Sequence, residues 1–142
     1  MNGTNGFESE AIEVLQPVGW AAPRGYANGI AARGRLVFIG GQIGWNADQR
    51  FETADFVGQA RQALANVVAV LAAGGGRPEH LVRMTWYVVD KREYVASYRA
   101  LGSAYRDVVG RHFPAMTAVE VSALIEDAAR VEIEATAVIP DP

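Results

Sequence analysis

Residues 130–139, Arg130-Val131-Glu132-Ile133-Glu134-Ala135-Thr136-Ala137-Val138-Ile139, decide the fold. Successive side chains of an extended chain point to opposite faces. Val131, Ile133, Ala135 and Ala137 therefore share one face, and Glu132, Glu134 and Thr136 the other. Residues 83–89 repeat the pattern, with Met84, Trp86 and Val88 against Arg83, Thr85 and Tyr87. A third strand is read over 117–124, with Val119 and Val121 on the apolar side and Glu120 and Ser122 opposite. Such strands cover a core with one face only.

Two amphipathic stretches supply the cover. In residues 55–73, Phe56, Ala60, Ala63, Leu64, Val67, Val70 and Leu71 follow the spacing of one helix face. Thr53 or Asp55 caps its start, and Gly74-Gly75-Gly76 ends it. A second helix is expected over 93–109, with Tyr94, Tyr98, Leu101, Tyr105 and Val108 as its buried stripe.

Upstream, residues 13–16 suggest a short strand. Residues 29–32 and 35–40 suggest a hairpin turning at Arg33-Gly34. Gly40-Gly41-Gln42-Ile43-Gly44 lacks the Lys-Ser/Thr of a phosphate-binding loop and reads as a strand end approached closely by another group. The order ββαβαββ, with room for one earlier strand, predicts an α+β domain: a single mixed sheet with two helices packed on one face. Residues 1–10 read as a polar tail and residues 11–142 as one domain.

Composition narrows the chemistry. The 142 residues carry a net charge of -3 and no basic cluster, which argues against nucleic acid or anionic lipid as partners. The absence of cysteine removes thiolate nucleophiles and sulfur-ligated zinc, and the two histidines lack ligand spacing, so no metal is expected. No signal-peptide pattern and no apolar run of membrane-span length is read, giving a cytoplasmic, membrane-free expectation.

With both helices on one face, the other is left with Arg83, Thr85, Tyr87, Glu132, Glu134 and apolar positions between 36 and 39. That mixture points to an oligomer interface with a partly polar cleft.

Four segments resemble the Rid/YjgF family, the reactive-intermediate deaminases also labelled endoribonuclease L-PSP. They are Gly25-Tyr26-Ala27-Asn28-Gly29, the strand into Gly40-Gly41-Gln42, the run Gln59-Ala60-Arg61-Gln62-Ala63-Leu64-Ala65-Asn66, and Val131-Glu132-Ile133-Glu134-Ala135. Their order and spacing cover about residues 18–139. The resemblance implies a chorismate-mutase-like fold, a homotrimer with clefts between subunits, and hydrolysis of imines or enamines to a carbonyl compound and ammonia without a cofactor. It also implies roles: Glu132 as the water-handling carboxylate, Tyr26 as the loop tyrosine, and Gly41 and Gln42 as the strand end of the pocket.

The likeness departs at one point. The family's carboxylate-binding arginine follows Pro-Ala, whereas here Pro114-Ala115 is followed by Met116 and Thr117, with Ala118 in place of a frequent cysteine and Gly40 in place of a serine. Methionine cannot form the bidentate pair that a guanidinium makes with a carboxylate. Arg83, Arg99, Arg106, Arg111 and His112 are the candidate substitutes, and strand parity favours Arg83, beside Tyr87. Candidate substrate contacts are thus Tyr26, Gly41, Gln42, Arg83, Tyr87, Met116 and Thr117, with Glu132 catalytic. Three functions follow: a deaminase acting on a small metabolite such as 2-aminomuconate, a non-catalytic ligand-binding trimer, or an endoribonuclease, the last opposed by the net charge.

Overall fold

The computed structural model describes residues 11–142; the expected tail over 1–10 lies outside the described residues. Four strands form the main sheet: β3 (Arg35–Ile43), β4 (Leu81–Val88), β5 (Ala115–Glu120) and β6 (Val131–Ile139), in the order β3-β6-β4-β5. β6 runs antiparallel to β3 and β4, and β5 runs parallel to β4. A parallel pair needs a crossover, supplied here by α2 (Lys91–Ala96) and α3 (Tyr98–Val108).

The long helix α1 (Phe56–Ala73) packs across β3 and β6. Its N-cap is Asp55, whose side chain accepts the Gly58 N–H at 2.8 Å. Length and composition alone would let α1 cross a membrane, contrary to the reading of no such run. Its Phe56, Ala60, Ala63, Leu64, Val67 and Leu71 are nevertheless buried, packed with Met84, Trp86, Ile133 and Ala137 in one core. The expected alternation of β4 and β6 is therefore real: their apolar sets face the helices.

Three expectations are corrected. Residues 29–32 and 35–40 do not pair. β2 (Gly29–Ala32) pairs instead with β1 (Ile12–Leu15), as a separate two-stranded arm. Gly34, at φ 145°, lets the chain pass between them against the Ile139 carbonyl.

The second correction concerns β5, which spans 115–120 rather than 117–124 and has the opposite phase. Met116, Ala118 and Glu120 align with Met84, Trp86 and Val88, on the helix side. Glu120 accordingly accepts the Lys91 N–H at the start of α2, at 2.8 Å. Thr117 and Val119 belong to the open face. β5 is the sheet's edge and half-exposed, so hydrophobicity is a poor guide to its phase.

Third, the expected single helix over 93–109 is broken at Ser97 (φ -104°, ψ 9°). Tyr98, the first residue of α3 after the break, is 59% exposed instead of buried. Tyr94 still bridges Phe56 and Trp86 through edge-on ring contacts.

Candidate active site on the open face of the sheet

The face of the sheet away from the helices is uncovered in the chain. It presents Leu36 and Phe38, 57% and 74% exposed, beside the polar rows of β4 and β6. Val138, the register partner of Leu36, is buried. Register pairs Tyr87 with Glu132, Thr85 with Glu134 and Arg83 with Thr136. The structure thus brings Arg83, Tyr87 and Glu132 onto one face, as strand parity required.

A β-bulge organises the Glu132 end. Between Ile39 and Gln42, three steps along β3 match two along β6, and such a bulge re-aims the chain locally. Gly41 lies in it, against the Glu132 carboxylate. A Cβ on Gly41 would overlap Oε2 and sit 2.8 Å from the carboxyl carbon. Glu132 can occupy this position only because residue 41 is glycine. Its carboxylate accepts no hydrogen bond among the described residues, whereas the Tyr87 hydroxyl beside it donates to Glu134 Oε1 at 2.5 Å. That bond to a carboxylate raises the Tyr87 pKa; burial and the charges of Glu134 and Glu132 push the same way, against Arg83.

The bulge also docks on α1. Asn66 Nδ2 donates to the carbonyls of Ile43 and Trp45, at 3.0 and 2.8 Å. A Cβ on Gly44 would lie 2.7 Å from the Gln59 Cα. Gln59 is 1% exposed and holds the start of β6, accepting the Arg130 N–H and donating to the Thr53 and Ala128 carbonyls. These contacts give the run 59–66 its composition. Trp45 packs on Phe51 in its own loop, ring centroids 5.9 Å apart. Gln42 donates to the Gly40 carbonyl at 3.1 Å.

The remaining candidates divide. Tyr26 is half-exposed and precedes Ala27, whose N–H donates to the Pro114 carbonyl at 3.0 Å and which bridges to Ala115. Ala115 is the register partner of Arg83, so Tyr26 lies toward the Arg83 end of the sheet. Glu132 lies four residue pairs further along, ~13 Å away at strand rise. Thr117 neighbours Thr85 on the open face. Met116 does not join them: it packs against the core on the helix side.

Of the alternative cations, Arg99 and Arg106 belong to α3, in the helix layer. The His112 ring is bonded to the Leu81 carbonyl at 2.7 Å. Arg111 lies just beyond α3, outside the sheet. Among the described residues Arg83 is the arginine that a strand presents on the open face, and it has no carboxylate within ion-pair distance.

A shallow cavity of about 300 Å³ lies here, lined by Phe38, Ile39, Gly40, Arg83, Thr85, Glu134, Ala135 and Thr136. Strand parity does not reveal this cavity, nor the part Glu134 and Thr85 play in lining it; the adjacency of their rows to Arg83 is the available signal. A second cavity, of about 440 Å³, lies beside the N-terminal end of α1, next to Gln59 and Arg130. There the Arg130 guanidinium is committed to Glu93 in a two-pronged pair. No cluster suited to a metal ion occurs among the described residues.

Residues 19–139 match the endoribonuclease L-PSP family. The chain is 36% identical over 105 residues to the 2-iminobutanoate/2-iminopropanoate deaminase of Escherichia coli, covering 74% of this chain and 80% of that protein. It shares the same identity and coverage with a RutC family protein of Haemophilus influenzae. Among solved structures, the Rid-family protein YyfB of Yersinia pestis superposes with a TM-score of 0.82 at 30% identity, over 92% of this chain and 100% of that one.

Proposed function

The chain belongs to the endoribonuclease L-PSP family, the Rid/YjgF proteins, and on that premise we propose that it hydrolyses an imine or enamine of a small carboxylated metabolite, releasing ammonia. An enamine first gains a proton at carbon to become the iminium, the protonated imine. Water then attacks the imine carbon: a C–O bond forms and the π pair moves to nitrogen. The carbinolamine collapses as the C–N bond breaks, leaving a carbonyl compound and ammonia. No cofactor enters this sequence.

Glu132 is the group that handles the water, taking its proton and returning it to the departing nitrogen. The observation that carries this role is the carboxylate seated against Gly41, accepting no bond among the described residues while its neighbour Tyr87 is committed to Glu134. Arg83 supplies the anion contact that position 116 lacks.

The working form is a homotrimer with sites between subunits. Two features support it: the exposure of Leu36 and Phe38, and the placement of Tyr26 and Glu132 toward opposite ends of one sheet. A cleft that uses both residues draws them from two chains.

The test is ammonia release from 2-iminobutanoate and from a longer enamine acid by wild type and Glu132→Gln. A loss of at least ~10²-fold with unchanged assembly is expected. Activity within threefold of wild type would leave Glu132 out of the chemistry. The second reading, a ligand-binding trimer without turnover, is favoured by one observation: Met116 packs into the core, so its position offers no anion clamp. Keto-acid binding without ammonia release from either substrate would establish it. RNA cleavage is opposed by the net charge of -3.

A further inference from the structure

We infer that the exposed face of α2 and α3 is a docking surface for an acidic helical segment of a partner protein. This face belongs to the helix layer, on the opposite side of the sheet from the proposed reaction, and binding there is independent of that reaction.

The charges along α2 and α3 are unevenly engaged. Their two acidic side chains are already paired: Glu93 holds the Arg130 guanidinium at 2.7 Å, and Asp107 holds Arg61 at 3.0 Å. Asp90 is taken up as the N-cap of α2, and Glu120 accepts the Lys91 N–H. Lys91, Arg92, Arg99 and Arg106 are exposed, and none has a carboxylate within ion-pair distance among the described residues. These cations are dispersed along the sequence of a chain whose net charge is -3, so composition does not show them as a cluster. A surface of this sign repels a second copy of itself and attracts carboxylates.

An ordered aromatic ring stands among these charges. Tyr98 is exposed, yet its ring meets Tyr94 edge-on, with centroids 5.4 Å apart. Tyr94 in turn packs on Phe56 and Trp86, both buried. The core therefore pre-orients Tyr98, which lowers the entropy lost when a partner covers it. Val95, 46% exposed, adds an apolar contact on α2. Arginine and tyrosine beside an apolar side chain are the composition of interface hot spots.

The relief of α3 favours a helix as the occupant. Tyr98, Gly102 and Arg106 follow one another at single-turn spacing and form one row. Gly102 leaves room in that row, and the Arg106 guanidinium lies back into it, its Nη1 3.3 Å from where a Cβ of residue 102 would be. The Arg106 charge is thereby drawn toward Tyr98. The row stays low at Gly102, and low relief lets a second helix come close. Arg99 and Arg106 share one side of α3, about two turns apart. Carboxylates one to two turns apart on a helix lying alongside reach both, and a leucine between those carboxylates covers Tyr98.

The test is fluorescence anisotropy on the full chain with three labelled probes. One is a helical peptide of about 20 residues with glutamates at i, i+4 and i+7 beside a row of leucines; the second has glutamine for each glutamate; the third is single-stranded oligouridylate. The glutamate peptide should bind at least ~tenfold tighter than the glutamine peptide, and rising salt should shrink the preference. Arg99→Glu with Arg106→Glu, or the milder Arg99→Gln with Arg106→Gln, should bring the ratio to within ~twofold of one at unchanged circular dichroism. Arg33→Glu with Arg50→Glu makes the same change in net charge at exposed positions outside α2 and α3, and should keep the preference. Tyr98→Ala should weaken both peptides alike, by ~tenfold. Equal binding of the two peptides by wild type would overturn the docking surface. So would a preference that survives in both Arg99 and Arg106 double variants, or one lost equally in the Arg33 and Arg50 control. Oligouridylate binding tighter than the glutamate peptide, and lost in the same variants, would overturn it in favour of nucleic acid. None of these readouts involves ammonia, so their failure would leave the proposed reaction standing.

Discussion

Replacing Gly41 with alanine puts a methyl group where the Glu132 carboxylate now rests. The new Cβ would overlap Oε2 and lie 2.8 Å from the carboxyl carbon, where ordinary contact begins at 3.4 Å. The carboxyl carbon must retreat by more than half an ångström, on the order of the ~1 Å misplacement that costs ~10²-fold in rate. The retreating atoms are the far end of a flexible side chain, so the backbone need not move. Gly41 is not in the left-handed region, and alanine there gains ~0.4–1 kcal/mol through the unfolded state. Net stability should change by no more than ~1 kcal/mol.

Gly44→Ala is the internal control. There the added Cβ meets the Gln59 Cα at 2.7 Å and its carbonyl oxygen at 2.8 Å. Helix backbone cannot rotate aside, so the cost is ~1–3 kcal/mol of overpacking, or a Tm lower by roughly 3–10 °C. Ammonia release gives kcat and KM, and thermal unfolding gives Tm. Gly41→Ala should lose kcat ~10- to 100-fold at nearly wild-type Tm; Gly44→Ala should lose Tm. Wild-type kcat in a folded Gly41→Ala protein would refute the idea that the placement of Glu132 matters to the reaction.

Two further outcomes follow from the same geometry. Phe38→Glu places a charge on the exposed apolar strip; burying a phenylalanine is worth ~1.5–3 kcal/mol, so sedimentation velocity should show at least tenfold weaker association per contact, and an unchanged assembly would remove this face from the interface. Burial raises the Tyr105 and Tyr94 phenols, and the bond to Glu134 raises Tyr87. Their folded pKa values exceed the unfolded ~10, so the unfolded chain loses protons first and stability falls as pH rises above ~10. Absorbance titration of the folded chain should lag that of the chain in urea, and coincident curves would contradict these environments.

What the sequence revealed depended on how completely a segment is buried on one side. α1, β4 and β6 press one face into the core, so their apolar positions keep strict period. β5 lies at the edge, where Val119 is exposed and Met116 is packed; hydrophobicity there no longer records direction, and its phase was read inverted. The β1–β2 pairing is long-range and cannot be told from a local hairpin by composition, because Arg33-Gly34 has turn chemistry either way. Tyr98 fitted the helix stripe, but a break at Ser97 shifts the phase without a proline or glycine to announce it. On the site, strand parity correctly grouped Arg83, Tyr87 and Glu132. The contact between Gly41 and Glu132 depends on a bulge, and the Tyr87–Glu134 bond on diagonal neighbours, neither of which parity encodes.

The strand order has a consequence for how the chain is made. β6 separates β3 from β4, yet it is the latest of the four in sequence, and its Ile139 pairs with Arg35, which was synthesised 104 residues earlier. While the ribosome works through the intervening helices, β3 and β4 have no central partner, and their apolar rows and open edges wait for it. Contacts so distant in sequence slow folding and prolong exposure to aggregation. The sheet should therefore close as a late, single event once β6 has emerged, with α1 the element able to gain structure before it.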